Sequence, residues 1–385
     1  MPDDFMTETM VMTENSTNSA VDFSKPLNRP SALLNDVHGA VDLSKPLQTP
    51  SSPLNDVDSV ALKHAIGKAA DYPGLTSLLI VKNGYLISEN YFKQARRESV
   101  QKVCSVSKTF IGISIGIAVK QGYIAHIDDP ISRYLKKLPA NWDEQKNRIT
   151  IRHLLSMTNG LEFSDDPGHK DYHELLKAND PVLYVLSKPM AAEPGEKFND
   201  DPSAFLLSAI ITDVTGMSAL DFARTWIFRP LKFGKRKWRS IGGRTAGMNG
   251  LSIRPLDMAK FGQLLLQNGF NGKDSLLPSG WVKEMSSGQS KNGIGAFRNN
   301  MGTVIDANYG LMCWIARMND LNFFWAMGSG GQRMLVIPQK RMVVVMTASM
   351  KQSFFMSKRR FTEKRFCQER DLLQFFIDHI LPCAK

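Results

Sequence analysis

The spacing of apolar and polar positions changes period several times along the chain. From residue 59, "SVALKHAIGKAAD" carries apolar residues at helical spacing. "TSLLIVKNGYLISENYF" (76–92) reads as two β-rich runs around Asn83-Gly84, the favoured two-residue turn of a hairpin. "SKTFIGISIGIAVKQG" (107–122) is apolar on nearly every side, the mark of a buried helix, and Gly122 closes it. Mostly helical and loop sequence fills 130–270, with "TIRHLLSMTNG" and "RPLDMAKFGQLLLQNG" as its clearest helices. Strand patterns return in "NFFWAMG", "GQRMLVIP" and "RMVVVMTAS" between 322 and 349, and an amphipathic helix, "ERDLLQFFIDHIL", follows. This order predicts an α+β protein: one antiparallel β-sheet built from both chain ends, flanked by helices, with a mostly helical insert at about 130–270.

The first 58 residues have no such periodicity. "VDFSKPLNRPSALLNDV" (21–37) recurs as "VDLSKPLQTPSSPLNDV" (41–57) at a period of twenty. Two copies rich in Pro, Ser and Asn bury little, so residues 1–58 are expected as a disordered or loosely docked tail and 59–385 as the folded domain. The alternative use of the repeat is a short docking motif, "VD-x-SKPL".

Charge sharpens this division. The net charge is +11, but residues 1–58 hold nine acids against three bases, so they carry −6 and the remainder +17. Basic clusters stand at "KFGKRKWR" (232–239) and "KRRFTEKR" (358–365) without a nucleic-acid motif, and are read as solvated faces. No nucleic-acid partner is expected. The cysteines, 104, 313, 367 and 383, form no CxxC pair, which leaves no redox or zinc motif. There is no apolar signal-like core near the N-terminus and no run of about 18 apolar residues. The expectation is a cytoplasmic protein without a membrane span.

Candidate chemistry centres on "VCSVSKTF" (103–110). A serine hydroxyl is a weak nucleophile until a base takes its proton. Lys108 lies one helical turn after Ser105 on the same face. Burial disfavours a lysine's charged form and can make it a base. The helix start places backbone N–H groups where negative charge develops. The pair suits acyl transfer, but S-x-x-K alone also fits a capping serine with a surface lysine.

The surrounding segments resolve that ambiguity. "VKNGYLISENYF", "CSVSKTF", "GYIAHIDDPISRYL", "ITIRHLLSMTNGLEF", "PGEKF", "LLSAIITDVTGMSALDFA" and "GSGGQRMLVIP" occur in an order that resembles the penicillin-recognising serine hydrolases. That superfamily includes class C β-lactamases, D-alanyl-D-alanine peptidases, related esterases and the 6-aminohexanoate-dimer hydrolases; "SVSK" and "GSGGQ" are most similar to the last. The resemblance implies a β-lactamase/transpeptidase-like fold, Ser105 as nucleophile and Lys108 as base, with no cofactor and no metal. The family's second motif, Y-x-N, is altered: "PGEKFNDDP" puts Asn199 where a tyrosine is expected, followed by Asp200 and Asp201. Asparagine cannot usefully accept a proton. The candidates to take the tyrosine's place are Asp200, Asp201, Tyr172, Tyr184 and Tyr309, with packing as the alternative role of each tyrosine. In the third motif "MGSGGQ" lacks the usual lysine. Ser329, Gly330 or Gly331 would supply a backbone N–H to an oxyanion hole or bind substrate, with Tyr309 as a wall.

Two rival motifs are weaker. "GISIG" (112–116) matches the α/β-hydrolase nucleophile elbow, but Ser114 falls within a helical pattern rather than at a strand-to-helix turn. His169 and His173 have no evident third metal ligand, and His153 reads as a capping or core histidine. The expected function is hydrolysis of a small-molecule ester or amide through an acyl-enzyme, rather than β-lactam turnover. The alternative is a weakened or inactive member used for binding or scaffolding.

Overall fold

A computed structural model describes residues 40–164, 170–289, 306–318, 320–349 and 368–385. The elements that position the site are, in chain order, α1 (Ser59–Asp71), β1 (Leu75–Lys82), β2 (Tyr85–Tyr91), α2 (Val106–Lys120), α3 (Ser203–Thr215), α4 (Pro255–Leu266), β3 (Asp306–Tyr309), β4 (Trp314–Met318), β5 (Leu321–Gly328), β6 (Gln332–Ile337) and β7 (Met342–Ala348). The seven strands form one antiparallel sheet in the order β2-β1-β7-β6-β5-β4-β3. The early hairpin therefore pairs with the last strand, and both chain ends build the sheet as the periodicity predicts. Asn83 and Gly84 both have positive φ, 53° and 82°, as a tight hairpin turn requires.

Alternation along β6 separates the two faces of the sheet. Gly262 of α4 lies so close to Met334 and Val343 that an added Cβ would sit 2.5 Å from the Val343 side chain. The neighbouring Arg333 instead donates to the carbonyl of Glu369, in the helical segment 368–375. Successive side chains of a strand point to opposite faces, so α4 and the C-terminal helix cover opposite sides. This moves one boundary. α4 belongs to the layers around the sheet, so the helical insert ends before it and not at about 270.

The other boundary moves too. Residues 40–58 pack against the domain: Leu43 and Leu47 are buried, the Leu43 N–H donates to Asn271, and the Leu86 N–H donates to the Gln48 carbonyl. Asp56 pairs with Lys82 and accepts from Asn83. The packed chain thus extends N-terminal of residue 59. Composition suggested otherwise because a proline-rich segment has few apolar groups of its own; here two buried leucines and backbone hydrogen bonds join it to the domain. The first repeat copy, 21–37, lies outside the described residues, as does the basic cluster 358–365.

α2 is buried along Val106–Ala118. Gly112 and Gly116 admit Met312 and the Trp281 ring, and Phe110 stacks on Phe261 with centroids 3.8 Å apart. Ser114 is fully buried and donates to the Phe110 carbonyl at 2.8 Å, so "GISIG" is helix packing. No single helix among the described residues is long and apolar enough to cross a membrane.

Candidate active site

The short strand Gln101–Lys102 pairs with Leu251–Ile253, and the Val103 N–H continues the ladder to the Leu251 carbonyl. The chain then turns through Cys104 at φ 49°, a left-handed conformation unusual for a residue with a side chain, and enters α2 at Ser105. Ser107 holds that turn. Its hydroxyl donates to the Cys104 carbonyl at 2.6 Å and accepts from the Leu251 N–H at 3.2 Å. Strain at Cys104 is thereby over-determined by its surroundings, an arrangement common at functional sites. Ser105 is half-buried, and its hydroxyl makes no capping bond. The capping-serine reading therefore does not describe it.

Lys108 is not a surface lysine either. It is 4% exposed, and its Nζ donates to Asp200 Oδ1 at 2.5 Å, while the Asp200 side chain is 57% exposed. Asp200, one residue after the position where the resemblance expects a tyrosine, thus brings a carboxylate to the lysine. Asp201, next to it, is turned inward and buried. It accepts from the Ser203 N–H at 2.7 Å and from the Asn159 amide. Burial raises its carboxyl to about 6, against the lowering effect of the Ser203 hydrogen bonds and of Lys108.

Asn199 does something else. Its Nδ2 donates to the Phe163 carbonyl at 2.7 Å and its N–H to the Met157 carbonyl at 2.9 Å. It ties the 157–163 loop to the 199–201 segment. Of the tyrosines, Tyr309 lies near the charged groups: its buried hydroxyl, held well above its usual range by burial, feels the charges of Lys108, Asp200 and Asp201. Its ring packs on Phe198 and Trp314, with centroids 5.0 and 4.8 Å away. Tyr184 is engaged by Glu174 and Lys188, and the Tyr172 hydroxyl accepts from Arg239 at 2.7 Å.

The glycine turn is only partly at the site. Gly328, ending β5, sits against the Val103 carbonyl, where a Cβ would lie 2.1 Å from that oxygen. Ser329 follows, exposed and without a hydrogen-bond partner for its N–H among the described residues. Gly330 and Gly331 do not fit the oxyanion expectation. The Gly330 N–H donates to Glu369 Oε1 at 2.7 Å, its carbonyl accepts from Gln368, and a Cβ on Gly331 would meet Leu372 at 2.3 Å. Their positive φ, 82° and 97°, serves a turn that faces the C-terminal helix.

Sequence reasoning missed Ser107 and Asn159. The doubled serine of "SVSK" and the Asn-Gly of "SMTNG" were the available signals, but neither identifies its partner. His153 caps its own helix through Thr150. His169 lies outside the described residues, and no cluster of three metal-ligating side chains occurs among the described ones.

An antiparallel sheet with a helical insert, and a serine–lysine pair at the start of a buried helix beside the sheet, define a class: the β-lactamase and penicillin-binding-protein fold. The profile of the Beta-lactamase family matches residues 62–365, and the chain belongs to that family of serine hydrolases. It is 24% identical over 283 residues to an uncharacterized protein of Alkalihalophilus pseudofirmus, covering 70% of this chain and 82% of that one. It spans only about a third of several other curated relatives it matches. Among solved structures, one from Bacillus anthracis described as a 6-aminohexanoate-dimer hydrolase superposes with TM-score 0.64 at 21% identity, covering 87% of this chain and 89% of that one. EstCE1, described as a hydrolase with promiscuous acyltransferase activity, gives 0.59 at 18% identity, covering 81% and 97%.

Proposed function

We propose that the protein cleaves small esters, and amides less well, through an acyl-enzyme on Ser105. The observation that carries this reading is the buried Lys108 ammonium paired with Asp200 one helical turn beyond an uncapped, accessible serine. The Lys108–Asp200 contact lets the proton move through both groups, a relay in place of a lone amine base. As Ser105 Oγ bonds to the acyl carbon, its proton passes to Lys108, and Lys108 passes one to Asp200. When the bond to the leaving group breaks, the proton returns along the same pair to that group. Water repeats the sequence to free the acid. The N–H groups of Ser105 and Ser329 are the proposed oxyanion donors. Alkoxide and phenolate leaving groups need less protonation than amines, which favours esters when no tyrosine delivers the proton. EstCE1's described hydrolase activity on the same fold agrees with this reading.

A fluorophosphonate probe together with p-nitrophenyl butyrate tests it. The expected result is labelling at Ser105 and slow ester turnover that exceeds amide and β-lactam turnover. The second reading, a non-catalytic member used for binding or scaffolding, draws on Asn199, whose side chain holds a loop where a tyrosine is expected. Absence of both labelling and ester turnover would select it.

A further inference from the structure

The two repeat copies differ at five places: Phe23/Leu43, Asn28/Gln48, Arg29/Thr49, Ala32/Ser52 and Leu33/Pro53. In the docked copy, Gln48, Thr49, Ser52 and Pro53 are exposed. Leu43 alone among the five is buried, and its counterpart is another large apolar residue.

The groups that hold the docked copy are all present in the other. Val41 exchanges hydrogen bonds with the Gln267 side chain, receiving at its carbonyl and donating from its N–H. Asp42 accepts from the Ser44 N–H and hydroxyl, forming a local turn that needs no neighbour. Gly272, at φ 98°, leaves room for the Asp42 backbone, where a Cβ would lie 2.4 Å from its Cα. Gly84 does the same for the Val41 side chain. Leu47 is buried, and Asp56 pairs with Lys82. The matching residues are Val21, Asp22, Ser24, Leu27 and Asp36. The bonds from Leu43 N–H and to the Gln48 carbonyl are backbone bonds that any side chain permits.

We propose that this surface, made by the β1–β2 turn and the segment after α4, is a docking site for the "VD-x-SKPL" motif with two occupants in one chain. Residues 21–37 take the place of 41–57 in a second register, displaced by one repeat. The second register must close the twenty-residue segment 38–57 into a loop between Val37 and Asp58. Loop closure of that length lowers its population roughly a hundredfold relative to the direct register, before the Leu-to-Phe difference is added. The copy contiguous with α1 therefore holds the site in the parent protein, and the distal copy takes it when the proximal one is disabled.

The Asp56–Lys82 contact gives a direct readout, because a carbodiimide joins a carboxylate and an amine in contact. In the full-length protein, peptide mass spectrometry is expected to find Lys82 joined to Asp56. In Leu43→Asp/Leu47→Asp, the Lys82–Asp36 product is expected to replace it, and adding Phe23→Asp/Leu27→Asp is expected to remove that product and lower Tm further. Asp56→Asn, which leaves the buried leucines in place, is the milder form of the same test and is expected to raise the Lys82–Asp36 yield. No rise in that product in the folded variants would overturn the proposal. A mixture of isotopically heavy and light protein separates cis from trans: products within one chain support the inference, and heavy–light products would replace it with exchange between molecules.

Discussion

Two turns meet at the end of β5, and they treat their polar groups differently. The Cys104–Ser105 turn opens into a long buried helix, and the Ser105 hydroxyl is left uncapped. The Gly330–Gly331 turn follows Gly328, which packs on the Val103 carbonyl beside Ser105, yet the Gly330 N–H and carbonyl are bound by Glu369 and Gln368. Both turns are strained or glycine-dependent, and both resemble functional motifs. What separates them is that the Gly330 backbone is bound by the C-terminal helix, whereas the Ser105 hydroxyl makes no capping bond. A turn whose backbone is bound by a packed helix stabilises the fold; a turn that leaves a serine hydroxyl uncapped keeps a nucleophile available.

Substitutions test that contrast, and the largest effect is expected at the first turn. Ser105→Ala should abolish fluorophosphonate labelling and reduce ester hydrolysis to background while circular dichroism stays unchanged. Retained labelling would move the nucleophile elsewhere. Lys108→Ala should lower kcat by roughly two decades or more, the range for loss of a proton-transfer group. Asp200→Asn should lower it by about ten- to a hundredfold, the equivalent of one hydrogen bond to a charged group. Asn199→Ala, by contrast, should lower Tm more than kcat, because its bonds hold the 157–163 loop. If Asp200→Asn leaves kcat unchanged, the relay assigned to Asp200 is wrong.

The buried carboxylate supplies a test of pH dependence. Burial raises the folded pKa of Asp201 to about 6, above the ordinary carboxylate range, so the native state binds its proton more tightly than the unfolded chain does. Its favourable contribution is fully present below pH ~4 and is lost as pH rises through about 6. The difference in unfolding free energy between the parent and Asp201→Asn should therefore shift in favour of the variant by about 3 kcal/mol across that window, at ~1.4 kcal/mol per unit. Denaturant titrations at pH 4 and pH 7 measure it, and a pH-independent difference would show that Asp201 does not titrate there. The smallest effect on catalysis is expected at the second turn. Gly331→Ala should destabilise by about 1–2 kcal/mol, since φ is 97° and Leu372 fills the space, while kcat per folded molecule stays the same. A large loss of kcat would return Gly331 to the site.

Much of this was legible in the chain. Asn83-Gly84 between two β-rich runs specifies a hairpin through local backbone preference alone, and the all-round apolar run after Ser105 specifies a buried helix wherever it packs. Asp200 was legible only as one of several candidates. Nothing in "FNDDP" tells which of two adjacent aspartates turns toward Lys108 and which turns inward to Asn159, because successive side chains diverge and their partners are distant in sequence. The same holds for the glycine turn: composition identifies a turn, but its contact with Gln368 and Glu369 joins residues nearly forty positions apart.

The sequence by itself determined the element types, the antiparallel sheet from both chain ends, and the one-turn spacing of Ser105 and Lys108, since these follow from short-range periodicity and turn chemistry. Only the tertiary structure decided that Asp200 reaches the lysine, that Gly330 and Gly331 face away, and that residues 40–58 dock. Each of those outcomes is a contact between segments far apart in the chain, where burial and hydrogen-bond satisfaction select among local conformations that the sequence allows equally.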